Sequence, residues 1–265
     1  MSDRCAVVLA AGEGTRLRPL TLDLPKALCP VGNVRLLDRV LARVAALGLD
    51  GPRSVAVNAC YLAEQIVAAV DDRAHLSVEP PPALGTSGGV ANLRDWIDGR
   101  SVLVCNADAY LSPDPPDLFA GWDGCTVRLL VVPAEPGTGE FGDARQWRFA
   151  GMSLLPWQVV RDLPQRTAEL VTTAWRPAES RHELQLIPHH GGYFDCGTPA
   201  NYLAANLHAT GGRSIVGEGA VVRGRLTRSL VLPGGYVADH EHLVEAIRVG
   251  RDMTVPAPLL DIEPV

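Results

Sequence analysis

The stretch from Cys5 to Leu28, CAVVLAAGEGTRLRPLTLDLPKAL, constrains this chain more than any other. It opens with a short apolar run that is long enough for one buried strand. Gly12 and Gly14 follow, and glycines allow a ligand to approach the backbone closely. Consecutive amides in such a turn converge on an anion, and Arg16 and Lys26 add positive charge. The stretch predicts a triphosphate-binding loop after the first strand, where open α/β sheets bind their ligands.

The loop differs from two common phosphate-binding loops. Leu17 replaces the third glycine of G-x-G-x-x-G, and no Gly-Lys-Ser/Thr follows as in a Walker A loop. The longer pattern, LAAGEGTRLRPLT followed by LPKAL, resembles the signature of the sugar-phosphate nucleotidyltransferases, also called nucleoside-diphosphate-sugar pyrophosphorylases. With VNACYL at 57–62, the chain is most similar to members of the mannose-1-phosphate guanylyltransferase type.

Lys26 is the only lysine in the chain. A general replacement of lysine by arginine is the simplest explanation for that scarcity. The position of the one lysine, inside the phosphate motif, favours a need for a compact ammonium group rather than a planar guanidinium.

Composition argues against several classes of protein. The 265 residues suffice for one ordinary domain plus an appendage, and the net charge of −6 disfavours binding along a nucleic-acid backbone. No apolar run approaches the roughly 18 residues that span a bilayer, and the first one is too short for a signal peptide. The six cysteines form no CxxC pair, as in reduced proteins. We therefore expect a cytoplasmic protein without a metal cluster, with neither a membrane nor nucleic acid as partner.

Apolar segments predict an α/β fold: a Rossmann-like, mostly parallel sheet with helices on both faces. The predicted strands after the first cover 54–58, 75–79, 101–105, 126–133, 151–155 and 184–187. The predicted helices cover 36–47, 62–70, 91–97, 158–163, 167–174 and 201–208. We expect a glycine-rich turn at 84–90 and a loop at 134–150.

The C-terminal segment has a different pattern. Apolar residues recur every five or six positions with glycines between them, at Ile215, Val221, Leu226, Val231 and Val237. This spacing resembles the hexapeptide repeat of a left-handed parallel β-helix, of little more than one coil, and an ordinary pair of strands stays open as the alternative. We predict a catalytic nucleotidyltransferase domain at 1–209 and a short β-helix-like tail at 210–265. A tail this short must pack on the catalytic domain or on a partner subunit, and the second alternative would make the protein a homo-oligomer.

Two aspartates are the predicted metal ligands. Asp108 follows the fourth strand, and Asp195 lies in Phe-Asp-Cys-Gly-Thr-Pro. Either could simply cap a helix or form a turn. The resemblance implies instead that both bind Mg²⁺, which prefers hard oxygen ligands and shares its shell with phosphates.

The reaction that the resemblance implies is attack by a sugar-1-phosphate oxygen on the α-phosphorus of a nucleoside triphosphate, with release of pyrophosphate. The attacking phosphate is already ionised, so positioning and charge neutralisation suffice. The predicted catalytic residues are Arg16, Lys26 and Asp108. The predicted nucleotide-binding residues are Leu9, Ala11, Gly12, Gly14, Thr15, Glu79, Gly85 and Thr86. The predicted substrate-binding residues are Asn106, Gly151 and Asp195.

Glu79 carries the prediction about the base. Guanine offers two adjacent donors that one carboxylate can accept together, whereas uracil and thymine offer one donor between two acceptors. Glu79 therefore favours GTP over UTP or dTTP. The alternative is that Glu79 is a solvated strand end that faces no ligand.

The chain also departs from the family. Many members carry an internal Glu-Lys-Pro element whose lysine grips the sugar phosphate, and Arg145, Arg148 or Arg176 are the candidate replacements here. The acceptor is then expected to be unusual, such as a deoxysugar, heptose or cyclitol phosphate. Two other functions stay open: a non-catalytic nucleotide-sugar-binding regulator, and a glycosyltransferase that uses Asn106-Ala107-Asp108 as its metal motif.

Overall fold

A computed structural model of the protein describes residues 3–259; residues 1–2 and 260–265, which the predicted domain ranges include, lie outside the described residues. The strands are β1 Arg4–Leu9, β2 Pro30–Val31, β3 Val34–Arg35, β4 Val55–Ala59, β5 His75–Val78, β6 Ser101–Asn106, β7 Ala109–Ser112, β8 Val127–Pro133, β9 Trp147–Leu155, β10 Leu184–Pro188, β11 Gly192–Asp195, β12 Ile215–Val216, β13 Val221–Val222, β14 Arg225–Thr227, β15 Leu230–Val231, β16 Tyr236–Val237, β17 His242–Val244, β18 Ala246–Val249 and β19 Met253–Pro256.

The helices are shorter in total than the strands. They are α1 Leu36–Ala46, α2 Ala63–Val70, α3 Gly85–Asn92, α4 Arg94–Ile97, α5 Trp157–Val160, α6 Arg176–Ser180 and α7 Pro199–Ala209. Two 3₁₀ turns, Thr15–Leu17 and Lys26–Leu28, and a π-helical turn at Val171–Trp175 complete the set. No helix within residues 3–259 has the length and apolar character that a bilayer crossing requires.

Seven strands form the central sheet in the order β10-β8-β9-β6-β1-β4-β5. Only β9 in this sheet runs antiparallel to its neighbours, β6 and β8. Side chains of β1 alternate between the two faces: Ala6 and Val8 pack towards α1 and α2, and Cys5 and Val7 pack towards α3 to α6. The predicted mostly parallel α/β sheet with helices on both faces is confirmed.

Two elements begin earlier than predicted. The segment at 84–90 was expected to be a turn, but α3 starts at Gly85, and a Cβ on Gly88 would lie 2.5 Å from the carbonyl oxygen of Arg166. Close packing against the backbone at Arg166 therefore outweighs the low helix propensity of glycine. Strand β9 starts at Trp147 rather than at 151, because residues 147–149 pair with the end of β8.

The tail forms a β-helix-like stack. Its parallel ladders are β12-β15-β18, β13-β16 and β14-β17, so two coils are complete and a third begins. The prediction of little more than one coil was therefore too low. Ile215, Leu230 and Ile247 of the first ladder pack with Tyr202 and Leu203 of α7, which ties the tail to the rest of the chain.

Candidate active site

Strands β1, β4 and β6 end at one rim of the sheet, and the chain after β1 forms a pocket there. Leu9 pairs with Asn58 on one side and with Asn106 on the other, so the loop that follows it begins at the centre of this rim. The pocket has a volume of about 190 Å³. Its lining includes the predicted residues Leu9, Gly12, Gly14, Thr15, Arg16, Lys26 and Asp108, together with Gly197.

The two glycines of the loop are present for different reasons. Gly14 has a φ of 62°, a left-handed conformation that side chains disfavour. Its carbonyl oxygen accepts a 2.8 Å hydrogen bond from the hydroxyl of Thr21, a fully buried residue that the sequence did not single out. Gly12 lies outside the left-handed region, and a Cβ there would meet no atom within 4 Å. The fold does not require glycine at position 12, and its missing side chain leaves room above the loop.

Lys26 is the buried centre of the site. Its ammonium Nζ lies 2.7 Å from Oδ2 of Asp108 and 3.3 Å from Oδ1 of Asp195. Burial alone would lower the pKa of this ammonium, but the charges of Asp108 and Asp195 outweigh burial and raise the pKa above its ordinary value. Its charge is therefore retained, and the two carboxylate oxygens stand at most about 6 Å apart.

A short ribbon brings Asp195 to Asp108. Strand β11 pairs antiparallel with β7, which places Asp195 opposite Ala109, and the amide of Cys196 donates to the carbonyl of Asp108. The helix after this ribbon is capped by Thr198, whose hydroxyl accepts from the amide of Asn201. The capping role considered for Asp195 is thus filled by another residue, and the carboxylate of Asp195 contacts Lys26 and Arg16, which line the pocket.

Arg16 lies at the mouth of the pocket. Its guanidinium Nη2 is 3.3 Å from Oδ2 of Asp195, and 67% of its side chain is exposed. A Cβ on Gly197 would lie 2.7 Å from the same Nη2 atom. Glycine at position 197 therefore keeps space for the guanidinium to reach over the pocket.

A second cavity, of about 250 Å³, adjoins the first. It contains the other predicted residues Ala11, Gly85, Thr86 and Asn106, together with Asn58 and Glu169. The predicted Gly151 lies beside it: a Cβ there would be 2.8 Å from the Cβ of Ala109. Glu169 was missed by the sequence analysis, since no motif surrounds it, and its Oε2 accepts a 2.7 Å hydrogen bond from the hydroxyl of Thr86.

The predicted contact of Glu79 with the base does not fit its position. Glu79 is 2% exposed. Its Oε1 accepts from Nδ2 of Asn58 at 2.7 Å, and its Oε2 accepts from the amide of Leu84 at 2.8 Å. Both oxygens accept from protein donors and the side chain is almost fully buried, so the structure gives the predicted contact with guanine no support, and Glu79 is not a solvated strand end either.

None of the three arginines considered as replacements for a second lysine lines the described cavities. Arg176 donates to the carboxylate of Glu179 and to the carbonyl of Glu140, and Arg145 donates to the carbonyl of Gly139. Arg148 is exposed on β9. The structure therefore gives the predicted replacement no support.

The described residues include no group of three or more histidine, cysteine or acidic side chains that could enclose a metal ion. Asp108 and Asp195 offer two half-exposed carboxylates instead, with 40% and 38% of their side chains exposed. Such a pair fits Mg²⁺, which takes one or two protein carboxylates and completes its shell with phosphates and water.

Comparison with known proteins agrees with this geometry. Residues 6–132 match the family described as MobA-like NTP transferase domain. The likeness to this family covers just under half of the chain. The matched range holds the glycine loop, Lys26 and Asp108 of the pocket. The resemblance to the sugar-phosphate nucleotidyltransferases is confirmed.

The relatives of this chain include nucleotidyltransferases of different kinds. Mannose-1-phosphate guanylyltransferase of Mycobacterium tuberculosis is 34% identical over 119 residues, which are 43% of this chain and 32% of the relative. N-acetylmuramate alpha-1-phosphate uridylyltransferase of Caulobacter vibrioides is 36% identical over 114 residues, which are 40% of this chain and 46% of the relative. The match thus spans between a third and half of the length of these relatives.

A solved structure shares the fold of this chain. HddC from Yersinia pseudotuberculosis, complexed with GMP-PN, superposes with a TM-score of 0.62 at 19% identity, over 77% of this chain and 99% of HddC. This likeness extends well beyond residues 6–132. It therefore places most of the described chain in the same fold.

Proposed function

We propose that this protein is a sugar-1-phosphate nucleotidyltransferase. An oxygen of the sugar phosphate attacks the α-phosphorus of a nucleoside triphosphate, the bond to the bridging oxygen breaks, and pyrophosphate leaves. The observation that carries the proposal is the position of Lys26, whose buried ammonium is held between Asp108 and Asp195 under a glycine loop. A fixed positive charge inside a pocket of this kind serves phosphate groups.

Each predicted residue then has a task in the chemistry. The amides of the loop from Gly12 to Thr15 hold the triphosphate, and Arg16 meets its β,γ end at the exposed mouth. Lys26 lies between the α-phosphate and the sugar phosphate and offsets their mutual repulsion. No general base is needed, because the attacking phosphate is ionised near neutral pH.

A divalent ion fits the same proposal. Asp108 and Asp195 would hold Mg²⁺, and the bound ion would supply positive charge to the phosphates of both substrates. Lys26 would keep the two carboxylates oriented, since it already contacts both.

The second cavity is proposed to receive the base and the sugar. Gly85, Thr86 and Asn106 line it, and Gly151 keeps space beside it. GTP remains the proposed nucleotide because relatives include a guanylyltransferase and HddC was solved with GMP-PN. UTP is the second candidate, since another relative is named a uridylyltransferase.

We extend the proposal to the domains: residues 1–209 carry out the chemistry, and the tail supports α7.

A pyrophosphate-release assay tests the proposal. The protein is incubated with Mg²⁺, each of four nucleoside triphosphates and a panel of hexose, deoxysugar, heptose and cyclitol phosphates. We expect pyrophosphate and a nucleoside-diphosphate sugar in equal amounts for one nucleotide. Nucleotide-sugar binding without turnover would indicate a regulator, and transfer of sugar from a nucleotide-sugar would indicate a glycosyltransferase; either result would refute the proposal.

A further inference from the structure

A buried polar link connects the two loops that form the walls of the second cavity. Asn58 lies at the end of β4, and Glu79 lies directly after β5; each is 2% exposed. Oδ1 of Asn58 accepts a 2.7 Å hydrogen bond from the amide of Ala10, at the start of the glycine loop. Oε2 of Glu79 accepts a 2.8 Å hydrogen bond from the amide of Leu84, directly before α3.

A third hydrogen bond joins the two side chains directly. Nδ2 of Asn58 donates to Oε1 of Glu79 at 2.7 Å. The amides of Ala10 and Leu84 are donors only, so the oxygen of Asn58 must face Ala10 and its NH₂ must face Glu79. One arrangement of donors and acceptors satisfies all these groups, and buried polar groups left without partners are costly.

Gly89 supplies a second, independent observation. A Cβ at this position would lie 2.6 Å from Nδ2 of Asn58 and 3.0 Å from Oε1 of Glu79. Helix α3 therefore passes so close to the link that only glycine fits there. Helix α3, which begins beside the second cavity, therefore packs against both Asn58 and Glu79.

We propose that Asn58 and Glu79 are positioning residues that couple the glycine loop, 10–16, to the start of α3, 84–86. Neither residue lines the pocket that contains Lys26. Together they set the distance between the two walls of the cavity, so that both loops are in place before a nucleotide enters. This inference rests on the proposed function for its ligand, but the link itself is a property of the free protein.

The amide of Asn58 and the carboxylate of Glu79 can be exchanged between the two positions with almost no change in side-chain shape. In Asn58→Asp alone, two carboxylates face each other. In Glu79→Gln alone, an amide NH₂ faces another N–H donor. In the double variant N58D/E79Q, the new carboxylate can accept from Ala10 and from the new amide, whose oxygen can accept from Leu84. The pattern of donors and acceptors is then complete again.

Hydrogen exchange in the free protein measures the coupling without any ligand. We expect each single variant to raise amide exchange about tenfold or more in both loops, 9–16 and 80–90, including the loop remote from the substitution. The double variant should return both loops close to the rates of the unmodified protein. Faster exchange in only the nearer loop, or no recovery in the double variant, would overturn the proposal.

Nucleotide affinity gives the second readout. Calorimetry with Mg²⁺-GTP and Mg²⁺-UTP should show each single variant weakened about tenfold or more for whichever nucleotides bind, by a similar factor for both, with recovery in the double variant. A change in preference between the two nucleotides would instead assign base reading to Glu79 and refute the positioning role. Failure of the unmodified protein to bind any nucleotide would count against the proposed function alone.

Asn206→Asp is the matched control. Asn206 is also a fully buried asparagine, and it bonds to Gly32, Pro30 and Tyr202 away from the cavities. Its substitution should lower the unfolding temperature while the exchange of 9–16 and 80–90 stays unchanged. Faster exchange of both loops in this variant would show that general destabilisation suffices, and would overturn the specific role of the link.

Discussion

The ammonium of Lys26 lies 2.7 Å from the carboxylate of Asp108, although 82 residues separate them in the chain. The contact joins the loop after β1 to the end of β6, and β7 then recruits Asp195 through its pairing with β11. The three charged side chains are therefore brought together at the edge of the sheet by the fold, and not by one local sequence motif. Asp108 and Asp195 keep 40% and 38% of their side chains exposed, and ion pairs that solvent reaches contribute little to folding stability.

Lys26→Met removes the charge and keeps the length of the side chain. We expect kcat to fall by about 10³-fold or more, as on loss of a transition-state donor, with a shift of only a few degrees in unfolding temperature. Lys26→Arg should also lose most activity, because a planar guanidinium does not fit between the two carboxylates. Steady-state kinetics and calorimetry check this, and a folded Lys26→Met variant with normal kcat contradicts it.

Gly12→Ala tests whether the loop leaves space for a ligand. A Cβ there meets no protein atom, so stability should stay within about 0.5 kcal/mol while nucleotide affinity falls about tenfold or more. The matched control is Gly48→Ala, at a φ of 79° beyond α1, which should cost about 1 kcal/mol of stability and leave affinity unchanged. Denaturant titration and nucleotide calorimetry measure both. Unaltered affinity in Gly12→Ala would show that the loop does not face the ligand.

Asp195→Asn tests the metal site. We expect the Mg²⁺ concentration for half-maximal activity to rise about tenfold or more, since one of two carboxylate ligands loses its charge. A chelator should abolish the activity of the unmodified protein, and added Mg²⁺ should restore it. Asp114→Asn is the control, because the exposed Asp114 pairs with Arg43 and neither residue lines either cavity. An unchanged Mg²⁺ requirement in Asp195→Asn would exclude it as a ligand.

His189 makes stability depend on pH. Burial lowers the pKa of its imidazole below the ordinary value of 6.5, and its Nε2 has no partner among the described residues. The unfolded chain then binds a proton first as pH falls, so stability present above pH 6.5 declines below it, by at most about 1.4 kcal/mol per pH unit. Denaturant titrations from pH 7.5 to about 5 should show a shallower decline in His189→Gln. The exposed neighbour His190 is the control: an equal change in His190→Gln would contradict this account.

Local motifs made part of this site predictable. One continuous sequence pattern contains Gly12, Gly14, Arg16 and Lys26. The buried strands can be predicted from their apolar runs. Asp108 follows such a strand directly. For these residues, the sequence neighbourhood determines the place in the fold.

The rest of the site depends on contacts between segments that are distant in the sequence. Whether Glu79 has free oxygens is decided by Asn58, which lies 21 residues away, and no pattern around either residue reveals the bond. Glu169 reaches the cavity only because the backbone at 166–168 packs against the glycines of α3. The same packing makes the glycine-rich segment helical, against its propensity.

The most direct test is a crystal structure of the protein with Mg²⁺ and a non-hydrolysable nucleoside triphosphate. We expect the triphosphate on the loop from Gly12 to Thr15, its α-phosphate within hydrogen-bonding distance of Nζ of Lys26, and the ion in contact with Asp108 and Asp195. Phosphates bound away from Lys26, or an ion that contacts neither aspartate, would contradict it.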